Sequence, residues 1–151
     1  MQNDDTGTRV GYIVAISICT AILVSQFLFL LMIYFVKPEL MGLAPSQSQS
    51  ESERTPEIVL VLAVVSIVVL VASFVIKKVL IGQAVKTRVT ALIFVASIFG
   101  CSLCESVTLF GLLTAFVANY PYFYAFFAAG IIGTILHFPS QSSIDAASYK
   151  T

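Results

Sequence analysis

Residues 58–76 read IVLVLAVVSIVVLVASFVI. In water such a valine-rich run favours a β-strand. In lipid a lone strand leaves its backbone N–H and C=O groups unpaired, whereas a helix pairs them within the segment. The run is close to the ~20 residues needed to cross the hydrocarbon as a helix. The medium therefore decides the fold class, and the composition identifies the medium. Apolar residues make up 58% of the 151-residue chain and charged residues 11%. An ordinary soluble domain has about a quarter of its residues charged. The eight basic and eight acidic residues cancel. No basic face for nucleic acid is available, and nucleic acid is excluded as a partner. The partner that remains is the lipid bilayer.

Three further apolar runs surround this one. Residues 10–36 form an expected first span, ended by Lys37-Pro38, and the run is too long for a signal-peptide core. Residues 89–118 form a third span, and Asn119-Tyr120-Pro121 breaks it. Residues 122–138 form a short fourth span behind an aromatic cluster suited to a membrane interface. The intervening and flanking segments are 1–9 (a mobile N-terminus), 37–57 (a polar loop), 77–88 (a basic loop) and 139–151 (a mobile tail). Thr55 caps the second span in this reading, with Pro56 in its first turn. The expected fold is all-α, a four-transmembrane-helix bundle with short loops.

Four spans place both termini and the basic loop on one side. That side holds Arg9, Lys77, Lys78, Lys86, Arg88 and Lys150, against Lys37 and Arg54 on the other. The positive-inside rule puts the richer side in the cytoplasm. The expected location is a cytoplasmic (inner) membrane, or an organelle membrane with the termini facing the compartment of synthesis.

Glu105 is the sole acidic residue inside the four spans. A charge at mid-bilayer costs several kcal/mol, so such a residue faces protein, water or an ion. Glu105 lies about 24 Å along its helix from Val89, and Gln26 about 21 Å from Tyr12 on the same side. Ser66 falls at a similar depth, and Ser102 and Thr108 lie three residues either side of Glu105. Gln26, Ser66, Ser102, Glu105 and Thr108 are the candidate ion-binding residues, for a proton or for sodium. The other reading of Glu105 is a structural hydrogen bond to Gln26.

A second pattern suits close packing. Ser97, Cys101, Cys104, Thr108, Gly111, Ala115 and Ala118 recur at steps of four and three, a stripe that lets another helix approach. Gly130 and Gly133 offer the counterpart in the fourth span. Cys101 and Cys104 have metal-motif spacing but no second pair, and are read as small core residues. His137 is read as a cap or interface residue. No phosphate-binding loop, nucleophile–base pair or metal set is present in the sequence, so no cofactor is expected and no catalytic residue is assigned.

Residues 88–118, RVTALIFVASIFGCSLCESVTLFGLLTAFVA, resemble the carboxylate-bearing outer helix of the rotor-ring proteolipid, subunit c, of rotary ATPases. That family has a loop arginine and then Ala-x-x-Glu-(Ala/Ser)-x-x-x-(Tyr/Phe)-Gly-Leu-x-x-Ala. Glu105, Ser106, Phe110, Gly111, Leu112 and Ala115 fall on the pattern, and Arg88 matches the loop arginine. The resemblance implies a carboxyl that takes an ion from a stator, crosses the lipid neutral and releases it. The family's inner helix carries close-set glycines, whereas residues 58–76 have none. Its four-span members carry the carboxyl in the fourth helix, and here it is in the third.

Two function classes follow. In the first, the chain is an oligomeric membrane subunit that carries or couples a proton or sodium through Glu105, assembled with copies of itself or with other membrane subunits. It is not an enzyme on its own. In the alternative it is a non-catalytic four-helix subunit of a larger membrane complex.

Overall fold

The computed structural model describes residues 2–41, 56–87 and 89–139. Four helices account for nearly all of them: α1 (Gln2–Val36), α2 (Pro56–Thr87), α3 (Ala91–Phe116) and α4 (Tyr124–His137). A short 3-10 turn, Pro38–Met41, follows α1. No strand occurs among the described residues. The first three helices are long and apolar enough to cross a membrane, with mean hydropathies of 2.4, 3.3 and 1.9 in their spanning windows. The chain is thus a multi-pass integral membrane protein. Helix α4 is equally apolar in character but has 14 residues, about 21 Å at the helical rise.

The helix ends follow from covalent features. Lys37 N–H closes α1 on Ile33 O at 2.8 Å, and Pro38 has no N–H with which to continue. Helix α3 ends where Asn119 turns left-handed, at φ 45°. Asn tolerates that region better than most residues. Tyr120 N–H then reaches back to Thr114 O at 3.1 Å. Phe138 is extended at ψ 141° ahead of Pro139, as a residue preceding proline should be.

Two expected segments differ. The basic segment 77–88 is helical as far as Thr87 and belongs to α2. Lysine does not break a helix, and its charge is favourable near a C-terminus. Ala84 is buried against Ile93 of α3, which holds this stretch in place. Helix α1 likewise begins at Gln2, ahead of the expected start at residue 10, with no proline in between. Spans three and four are each trimmed by a few residues, to Ala91–Phe116 and Tyr124–His137. The polar stretch 42–55 with the Thr55 cap, Arg88 and the tail 140–151 lie outside the described residues.

Helix α3 is the hub. Half of its spanning window is buried, against 17% for α1 and 11% for α2. Helices α1 and α3 run parallel, as three successive pairs show: Cys19 with Cys101, Ser25 with Glu105 and Lys37 with Asn119. Helices α2 and α4 run the other way, with Ser73 beside Cys104 and Gly133 beside both Cys104 and Leu70. One end of the bundle is filled by Ile33, Ala115, Phe123 and Phe127.

The α3–α4 contact is closer than side chains on both partners would allow. A Cβ at Gly130 would fall 2.9 Å from the Cys104 carbonyl oxygen, and one at Gly133 2.7 Å from Cys104 Sγ. A Cβ at Gly111 would fall 2.8 Å from Phe126 Cβ, and one at Gly100 would overlap the His137 ring. Gly130→Ala is therefore expected to destabilise the bundle by about 1–3 kcal/mol, since backbone and a packed threonine have to shift. Gly82→Ala, with nothing within 4 Å, is expected to be neutral or to stabilise by up to about 1 kcal/mol. Denaturant titration of both chains in detergent checks the pair.

Candidate functional site around Glu105

Glu105 is the fifteenth of the 26 residues of α3, about 2 Å past the helix midpoint. It is half-buried. Among the described residues the one hydrogen bond to its carboxyl comes from Ser25 of α1, whose Oγ donates to Oε1 at 2.6 Å. The same Oγ lies 2.7 Å from Ile22 O. A hydroxyl has one hydrogen, so these two acceptors compete for it.

Around the carboxyl the helix surface offers acceptors. Ser102 donates to Ile98 O at 3.0 Å and Ser106 to Ser102 O at 3.2 Å. Both hydroxyl hydrogens are used along α3, which leaves only lone pairs facing outward. Ser102 belongs to the outward stripe of α3, with Val95, Phe99, Leu109, Leu113 and Val117. Glu105 sits between that stripe and α1.

The five predicted ion-binding residues do not converge. Gln26 is fully buried but turns to α4, where its Nε2 donates to Thr134 Oγ1 at 2.8 Å. Thr134 in turn donates to Gly130 O at 2.9 Å. Thr108 is buried under Gly130, with its hydroxyl 3.5 Å from Cys104 O. Ser66 donates to Leu62 O within its own helix at 2.7 Å. Ser73 is the α2 serine that reaches Cys104, 3.9 Å from its Sγ, and Ser66 lies about 10 Å further along the axis. Ser102 and Thr108 flank Glu105 by roughly 60° on opposite sides, so one meets lipid and the other α4. The polar groups thus divide into an outer patch at Glu105 and an inner seam at Gln26 and Thr134.

The small-residue stripe is buried. Ser97, Cys101, Cys104, Thr108, Ala115 and Ala118 are each at most 3% exposed, and Gly111 is buried with them. Sequence reasoning missed four participants: Cys19, Ser25, Thr134 and the role of His137. The His137 ring fills the hollow at Gly100, 4.6 Å from the Phe74 ring. Its Nδ1–H donates to Gly133 O at 2.7 Å, and Nε2 has no partner among the described residues. No three His, Cys, Asp or Glu side chains among the described residues are grouped to hold a metal ion.

Two lysines cap helix ends. Lys37 Nζ donates to Phe116 O at the end of α3 and to Asn119 Oδ1. Lys77 Nζ donates to Leu136 O near the end of α4 at 2.8 Å. Each places a positive charge at the negative end of a helix dipole. With His137 beside Gly100, the two caps stand roughly 24 Å apart along α3.

Thr134→Val is expected to cost about 1–3 kcal/mol, because the buried Gln26 amide loses its acceptor. Adding Gln26→Leu should recover part of that loss. Denaturant titration of the two single variants and the double variant should give a coupling of about 0.6–1.7 kcal/mol, the range for hydrogen bonds between membrane helices. No protein-family model, curated protein or solved structure matches the chain, and the proteolipid likeness of residues 88–118 rests on those residues themselves.

Proposed function

We propose that the chain is an oligomeric membrane subunit that carries or couples a monovalent cation, proton or sodium, through the carboxyl of Glu105. The Ser25–Glu105 geometry carries this reading. One serine hydrogen faces two acceptors, and the outward oxygens of Ser102 and Ser106 supply no donor. A proton on Glu105 completes the set, for the carboxyl then donates to Ser25 and Ser25 donates to Ile22. A sodium ion would serve the same end by neutralising the carboxylate. Either way the site takes one positive charge and can release it to a partner that approaches the outer face of α3.

The lysine caps support a membrane frame for this site. A hydrocarbon layer of about 30 Å fits between them once lysine stems reach toward the headgroups. In that frame α4 completes a fourth crossing. The side holding Lys77, Lys78, Lys86 and Arg9 faces the cytoplasm. Gln26 and Thr108 then hold α1 and α3 against α4, Ser66 bonds only within α2 among the described residues, and Ser25 is the residue that serves Glu105.

The test is cation uptake into vesicles containing the purified chain or its native complex. Glu105→Gln is expected to reduce uptake to the level of empty vesicles while the thermal transition and copy number stay unchanged, because Gln keeps the size and the hydrogen bond to Ser25. Ser25→Ala is expected to slow uptake without abolishing it. Native mass spectrometry should find one defined homo-oligomer. Full uptake by Glu105→Gln, or one or two copies among unlike subunits, would favour the accessory role instead.

A further inference from the structure

Cys19 of α1 and Cys101 of α3 are both fully buried, and their Sγ atoms lie 2.9 Å apart. Both are free thiols. A disulfide needs about 2.04 Å between sulfurs, so closing the bond takes a movement of about 1 Å. The other contact of Cys101, to Thr134 O, is a distant 3.8 Å. Cys104 has different neighbours, Ser73 Oγ at 3.9 Å and His137 Nδ1 at 3.8 Å. The pairing is therefore selective for Cys19 with Cys101. Its place matters too, because Cys101 lies one helical turn before Glu105 on α3.

We propose that Cys19 and Cys101 form a reversible disulfide that locks α1 to α3 and holds Ser25 against Glu105, so that oxidation arrests cation exchange. The arrest rests on the reading of Glu105 given above, whereas the disulfide stands on the thiol geometry alone. A membrane-permeant peroxide is the oxidant. One thiolate attacks the O–O bond, giving a sulfenic acid and hydroxide, and the thiol proton converts the hydroxide to water. The second thiol then attacks that sulfur. The S–S bond forms, the S–O bond breaks and a second water leaves. A small dithiol reverses the step by exchange, surrendering two electrons and two protons and becoming a disulfide itself.

The test uses the full chain in lipid vesicles, treated with hydrogen peroxide, denatured, alkylated with N-ethylmaleimide and weighed intact. The chain has three cysteines. Three labels are expected before oxidation and one after it, with a linked Cys19–Cys101 peptide. Cys104→Ser should fall from two labels to none, while Cys19→Ala should keep two. Three labels on oxidised wild type, or a link through Cys104, would overturn the disulfide. Cation uptake by oxidised wild type should match that of Glu105→Gln, recover with dithiothreitol, and be unaffected by peroxide in Cys19→Ala. Equal uptake by linked and unlinked chains would overturn the arrest. Uptake that never depends on Glu105 would remove the arrest together with the Glu105 reading, and the label count would still decide the disulfide.

Discussion

The close approach of α3 and α4 is the constraint from which the rest follows. Lipid tails are as apolar as leucine, so membrane helices gain nothing from hiding apolar side chains from one another. They associate by dispersion contact and hydrogen bonds, and small residues bring the backbones near enough for both. Here both helices supply glycines to the seam: Gly100 and Gly111 on α3 take His137 and Phe126 at its ends, and Gly133 and Gly130 on α4 take Cys104 and Thr108 between them. That commits one face of α3 to α4. The rotation of α3 is then fixed, and with it the direction of every other residue on the helix.

Glu105 inherits its surroundings from that rotation. It is one step round from the small-residue stripe, which puts it at the edge shared by α1 and the lipid. A carboxyl deep in the seam would be held by Gln26 or Thr108. At the edge it has Ser25 as a partner and an outward face lined with serine oxygens. The inner seam and the outer patch do different work in this account. Gln26 and Thr134 join α1 to α4, while Glu105 bonds Ser25 at the edge and is the group that takes the cation in the proposed role. The lysine caps bound this arrangement at both ends and pair charge with helix termini.

Much of the fold is legible in the sequence because its signals are covalent or compositional. Pro38 ends α1 by lacking an N–H, Pro139 ends α4 by holding Phe138 extended, and the valine run at 58–76 is resolved to helix by the medium. The segment 77–88 was harder to read, because charge marks a membrane boundary without marking a helix end. Glu105 is conspicuous as a lone carboxylate. Its partner is not, because depth along a helix can be counted but rotation cannot. Counting brought Gln26 level with Glu105, and the residue one position earlier, a hundred degrees round the helix, makes the bond. Cys19 was invisible as a partner of Cys101 for the same reason. The stripe from Ser97 to Ala118 was readable because its period is that of the helix itself.

In the proposed role the Glu105 carboxyl is open to the lipid phase and holds an exchangeable cation. Labelling by dicyclohexylcarbodiimide, a lipid-soluble reagent that reacts with protonated carboxyls, tests it most directly. The protein in vesicles would be treated and its peptides weighed. Modification is expected at Glu105, with Glu39 and Glu57 spared, and is expected to slow when the exchanged cation is in excess. A Glu105 that stays unmodified, or reacts at a rate indifferent to every cation, would contradict it.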